Sequence, residues 1–238
     1  MRPSKRTPNQ IREVSLETNV NKYAEGSCLV KFGDTHVLCT ASIDEKVPPF
    51  LRGKNSGWVT AEYAMLARST HQRNSRDPMK PNGRSIEIQR LIGRSLRSVI
   101  DVKKLGERQI IIDCDVIQAD GGTRCAAITG GYVALAIAVK KIMSQGLLKQ
   151  NPLIGSVCAL SCGIFEGQVV ADLDYAEDSK CDVDANFVIN QDFNLIEIQG
   201  TAEQRAMSFE QISQMYELAK AAAKEIFELQ KKAIDVVS

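Results

Sequence analysis

The stretch from Gln109 to Met143 constrains the fold more than any other part of the chain. Gln109 to Ile117 carries the apolar, β-branched composition of a strand. Gly121-Gly122 breaks the chain. Thr123 to Met143 follows as an alanine-rich segment of helical length. A helix that is apolar around most of its circumference has to be buried. A strand that feeds such a helix through a glycine turn predicts strands and helices packed on one core.

The flanking sequence fits that frame. Ile11 to Thr18 alternates like a strand, and Ser27–Phe32 and Thr35–Ile43 flank the hairpin signal Gly33-Asp34. Trp58 to Met65 is expected to be ordered. Arg68 to Gly83 is a long polar loop, a length that usually marks function or disorder. Ser85 to Asp101 has helical periodicity, with Ile88, Leu91, Ile92, Leu96 and Val99 on one face and Arg90, Arg94 and Arg97 on another. Ser156–Phe165 with Gln168–Tyr175, and Asn186–Asn190 with Leu195–Gln199, are expected strand pairs. Ser208 to about Ile234 is a long amphipathic helix, opened by Ser208 with Gln211 three residues on. The expected fold is α+β (mixed α/β) in a single compact domain over residues 1–238, with a faint sign of duplication between the halves.

Composition narrows the function. The chain has 238 residues, 44% hydrophobic and 25% charged, which is ordinary for a globular protein. No apolar run is expected to reach the roughly 18 residues of a membrane span, so no membrane partner is expected. The basic, polar start of the chain lacks the apolar centre of a secretory signal. The seven cysteines show no CxxC spacing and there are two histidines, which argues against zinc. Most of the cysteines lie in strand-like runs, as small hydrophobes would. A reducing, cytoplasmic location is the expectation.

Charge is unevenly spread. Arg68 to Arg97 holds eight basic residues and two acidic ones, whereas Asp172 to Glu203 holds nine acidic residues against Lys180. One block can hold a polyanion and the other a metal ion, or both can be solvated faces.

Three places can carry chemistry. Asp120-Gly121-Gly122-Thr123-Arg124 sits between strand and helix, where backbone N–H groups, the Thr123 hydroxyl and the Arg124 fork suit a phosphate. The alternative is an ordinary glycine turn with a surface arginine. Arg84 beside Gly83 can supply a second fork. The acidic block contains Asp172 and Asp174, which share a face if they lie on a strand, and Asp178 and Asp184, which flank a short turn. Carboxylates without nearby His or Cys favour Mg²⁺ or Mn²⁺. The basic segment, with Tyr63 and Phe50 as stacking candidates, offers a path for single-stranded RNA. From the residues alone, water or phosphate could be the nucleophile.

Several stretches then carry a resemblance to the ribonuclease PH family. They are Ala24–Ser27, Phe32–Thr35, Gly57–Tyr63, Glu87–Arg94, Asp113–Arg124, Asp172–Tyr175, Glu177–Ser179 and Gln199–Glu203, in order along nearly the whole chain. The resemblance implies duplicated βαβα-type halves and a homohexamer built as a trimer of dimers. It implies phosphorolytic 3′-to-5′ trimming of tRNA precursors, with other structured RNA 3′ ends as further candidates, inorganic phosphate as co-substrate and nucleoside diphosphates released. The reverse reaction would add nucleotides. Phosphate-binding positions fall on Arg84, Gly122, Thr123 and Arg124, and catalytic and metal-binding positions on Asp178 and Asp184. The expected RNA-binding set is Arg68, Arg73, Arg76, Arg90, Arg94 and Arg97. Cys125-Ala126-Ala127 and Asp182 depart from the family's more usual residues. A metal-dependent hydrolase and a non-catalytic ring subunit are the competing readings.

Overall fold

A computed structural model describes residues 2–75, 83–203 and 205–237. The N-terminal half builds a five-stranded sheet from β1 (Val14–Thr18), β2 (Gly26–Phe32), β3 (Thr35–Asp44), β4 (Trp58–Met65) and β5 (Gln109–Gln118), in the order β1-β2-β3-β5-β4. Every pairing is antiparallel except β4 with β5. That parallel pair needs a crossover, supplied by α1 (Gly83–Arg97) and the short α2 (Val102–Leu105). The C-terminal half builds a four-stranded antiparallel sheet from β6 (Val157–Phe165), β7 (Gln168–Ala171), β8 (Val183–Asn190) and β9 (Leu195–Ala202), in the order β7-β6-β8-β9. α4 (Tyr175–Asp178) joins its two hairpins. Each half therefore runs strands, helix, strand or strands, helix, as expected.

The buried helix is the hinge of the architecture. α3 (Thr123–Ser144) packs on β2 and β3 of the first sheet and on β6 of the second. Gly130 lies against Val30 and Cys39, and Gly131 faces Ile112, Cys114 and Leu96, so the helix sits close to the strands. α1 covers β4, and α5 (Phe209–Asp235) covers β6 and β7. Buried residues of both halves join in one cluster. By length and composition α3 is apolar enough to cross a membrane, which corrects the expectation that no stretch is. Within this fold 89% of that apolar window is buried in protein. All seven cysteines are free and buried. The Ser208–Gln211 capping box forms as expected.

One expected strand ends early. β7 stops at Ala171, so Asp172 and Asp174 do not share a strand face. Asp172 takes a left-handed φ of 55°. Asp174 caps α4, accepting a hydrogen bond from the Glu177 N–H, while the Glu177 side chain reciprocates. Aspartate competes well for such local hydrogen bonds, and here they replace the ladder.

Candidate active site

The Asp120–Arg124 turn lies at the junction that brings β5 into α3. Gly121 and Gly122 both have positive φ, 75° and 67°. A Cβ at Gly121 would come within 2.7 Å of the Leu173 carbonyl, so only glycine lets the acidic loop approach. Gly122 is the N-cap of α3 and offers no side chain to the first-turn N–H groups. The helix start thus keeps donors and its positive dipole end for an anion. The Tyr63 hydroxyl lies 2.8 Å from Thr123 Oγ1. Burial pushes the Tyr63 phenol up, so it stays protonated and able to donate to Thr123. Tyr63 is 3% exposed, which corrects its assignment as a stacking surface. Phe50 packs edge-on against Trp58 and remains 57% exposed.

Arg124 is aimed from two sides. Its guanidinium donates to Gln199 Oε1 at 2.8 Å and stands 3.6 Å from Glu87 on α1. Gln199 donates in turn to Glu197, which holds Arg94 in a two-bond ion pair. Arg84 sits on the first turn of α1. Arg84, Gly122, Thr123, Arg124, Asp178 and Asp184 all line one polar pocket of about 60 Å³, together with Ser161 and Asn186. The fold therefore brings together every residue expected at the phosphate and carboxylate positions. Burial and the charge of Asp184 push the Asp178 carboxyl up, although Arg84, Arg124 and Arg12 pull it down. Among the described residues no three His, Cys, Asp or Glu groups gather for a metal. Two carboxylates beside an anion site suit Mg²⁺, which keeps its waters and takes remaining ligands from substrate phosphates. Cys125 lies outside the pocket lining, with its Sγ against Asn186 Oδ1, and burial pushes its thiol up to about 12.

Asp172, Asp174 and Glu177 are neutralised internally. Arg2 makes two hydrogen bonds to Glu177, and Arg6 reaches Asp172, Asp174 and Glu177. Arg12 grips both carboxylate oxygens of Asp172 and also donates to the Asp120, Gly121 and Leu173 carbonyls. It clamps the phosphate turn to the loop that leads into Asp178. Burial pushes Asp172 up, but the hydrogen bonds and charge of Arg12, with the charge of Arg6, outweigh it and hold the carboxyl below its usual value. Such a group adds stability above its unfolded pKa, lost as pH falls through the folded one. Arg12→Ala is expected to cost about 3–5 kcal/mol near neutral pH, since it strands a buried charge. Urea unfolding near neutral pH and well below the ordinary carboxyl value of 3.8 checks this, because protonating Asp172 should narrow the gap. An equal loss at both would rule out the ion pair as its cause.

The profile of the 3′ exoribonuclease family (RNase PH) matches this chain twice, domain 1 over residues 10–141 and domain 2 over residues 155–222. Ribonuclease PH from two Caulobacter vibrioides strains is 55% identical over 236 residues, covering 98% of this chain and 99% of the relative. The chain belongs to the ribonuclease PH family. Its fold is shared with rice Rrp46 (TM-score 0.80, 22% identity, 98% of this chain and 100% of that one). It is also shared with a chain of the Archaeoglobus fulgidus exosome with RNA bound to the active site (TM-score 0.79, 21% identity, 95% and 91%).

The ribonuclease PH fold does not gather all of the expected RNA-binding arginines at the pocket. Arg90, Arg94 and Arg97 line a separate groove beside Trp58. Arg97 lies over the Trp58 ring at 4.3 Å and donates to the Val59 carbonyl, and burial pulls its pKa down. Arg68 and Arg73 are exposed on the loop after β4. Arg76 lies outside the described residues. Arg12, Ser161, Asn186 and Tyr175 were not singled out from sequence. A basic N-terminal stretch and a distant acidic block are the available sign for Arg12.

Proposed function

We propose that this chain performs the family reaction at the Arg84–Gly122–Asp178 pocket. It is a phosphate-dependent 3′-to-5′ exoribonuclease that trims tRNA precursors and releases nucleoside diphosphates. The observation that carries the site assignment is the meeting of Arg84, Gly122, Thr123, Arg124, Asp178 and Asp184 in one pocket.

Phosphate near neutral pH is already an anionic nucleophile, so it needs positioning more than deprotonation. Arg84 and Arg124 hold its oxygens as charged forks, while the Thr123 hydroxyl and the Gly122 amide complete the cradle. The Tyr63 hydroxyl, 2.8 Å from Thr123 Oγ1, orients that side chain in the cradle. Asp178 and Asp184 are the residues that would hold Mg²⁺ or Mn²⁺. A bound divalent ion neutralises charge on a scissile phosphodiester. In its protonated form, which excludes holding the metal, Asp178 would instead pass a proton to the leaving 3′-oxygen. Exposed Arg68 and Arg73 supply positive charge on the loop that borders the pocket. The same reading places the protein in the cytoplasm as a homohexamer. The likeness to a chain of the Archaeoglobus fulgidus exosome supports assembly, and light scattering should give six times the chain mass.

Incubation of a 3′-extended tRNA with Mg²⁺, with and without phosphate, tests the reaction. Nucleoside diphosphates should appear only with phosphate. Monophosphates in its absence would make the enzyme a hydrolase, and binding without product would make it a non-catalytic subunit.

A further inference from the structure

The phosphate pocket opens into a second, larger cavity. This groove is about 600 Å³ and shares Arg84, Gly122, Thr123 and Asp178 with the pocket. That volume falls in the range of small-ligand sites. Away from the shared residues, its described walls carry no Asp, Glu, Lys or Arg, and set polar Thr70, Gln72 and Asn74 beside Met65, His71 and Tyr175. Its chemistry changes from charged to neutral within one cavity, as the substrate does between a phosphodiester and the base beyond it.

Tyr175 has the form of a platform. It is the first residue of α4, and its N–H donates to Asp120 Oδ1 at 3.3 Å, which fastens it to the phosphate turn. Its ring is nevertheless left out, with the residue 54% exposed. The His71 ring leans against it, with centroids 6.2 Å apart and planes at 53°. An exposed aromatic ring with an anchored backbone has little conformational freedom to lose on stacking, unlike a long side chain. Nothing in the folding of α4 calls for an exposed ring there, since the Asp174–Glu177 capping box already fixes its start.

We propose that this groove is the subsite for the 3′-terminal nucleoside, with Tyr175 stacking on its base and His71 bordering the stack. The assignment rests on the phosphorolytic reading above and names the contact that reading lacks. Stacking is tolerant of base identity, because every base has a π face. An enzyme that removes successive nucleotides from one end has to accept each base in turn. A hydrogen-bonding pocket would discriminate among bases, and a stacking platform does not.

The test uses two RNAs of one sequence, one with an ordinary 3′-terminal nucleotide and one abasic at that position. Binding is read by fluorescence anisotropy without phosphate, and trimming is read as nucleoside diphosphate release. Wild type should bind the abasic RNA more weakly, by about 5- to 150-fold, the usual worth of one stacked base. Tyr175→Ala should lose a similar factor on the ordinary RNA and gain no further penalty on the abasic one. Tyr175→Phe should behave like wild type, and KM for phosphate should not move in either variant. Equal binding of both RNAs by wild type would overturn the assignment without recourse to any variant. So would a Tyr175→Ala protein that still favours the ordinary end by the wild-type factor. Base-dependent binding without diphosphate release would uphold the subsite and count against the phosphorolytic reaction instead.

Discussion

Arg124→Ala is expected to slow phosphorolysis at least ~100-fold, the cost of one lost donor to a developing charge. The loss should fall most heavily at low phosphate, because the guanidinium binds the nucleophile itself. Arg84→Ala should show the same signature from the opposite wall of the pocket. The two arginines differ in how they are supported, and that difference is testable. Arg124 is held by Gln199, which is held by Glu197, which is paired with Arg94. Gln199→Ala should therefore raise KM for phosphate by less than Arg124→Ala does, with kcat nearly kept. Initial rates over a phosphate series separate these outcomes. Near-normal rates at low phosphate in Arg124→Ala or Arg84→Ala would remove that residue from the cradle.

The parts of this site that were legible in the sequence are those written in local chemistry. Gly121-Gly122 between a strand and an apolar helix announces a backbone that turns sharply and exposes N–H groups, and the structure has that turn. The Ser208–Gln211 box and the Gly33-Asp34 hairpin are local in the same sense. The illegible parts depend on contacts between distant segments. Asp172, Asp174, Glu177 and Asp178 are equivalent in a list of acids. Three of them are spoken for by Arg2, Arg6 and Arg12, more than 150 residues earlier in the chain, and Asp178 is left to the pocket. Tyr63 and Tyr175 are likewise equivalent in a list of aromatics. The first belongs to a strand whose alternate residues face the core, and the second begins a one-turn helix that points its ring outward. Composition carries no information about which aromatic is exposed.

Asp178→Asn should separate stability from activity in opposite directions. Burial and the neighbouring charge of Asp184 push the Asp178 carboxyl above its ordinary value, and Arg84 and Arg124 recover only part of the cost. The native state therefore binds a proton more readily than the unfolded chain does. By linkage, the stability this group contributes falls as pH rises from its unfolded value of 3.8 through the raised native one. Near neutral pH the ionised carboxylate is a net burden. Asp178 is itself exposed, so solvent screens much of that burden, and an amide of the same shape should make the variant more stable by no more than about 0.5 kcal/mol. The gain should shrink as pH falls into the carboxylate range, where wild-type Asp178 takes up its proton ahead of the unfolded chain. Loss of the group at the leaving oxygen should meanwhile cost about 10²–10⁴-fold in rate. Thermal melts with a chelator present, near neutral pH and in the carboxylate range, measure the first effect, and diphosphate release measures the second. A variant less stable than wild type near neutral pH would show that Asp178 holds the fold together rather than standing strained for the reaction. A variant that trims RNA at the wild-type rate would move the proton, and the carboxylate that matters, to Asp184.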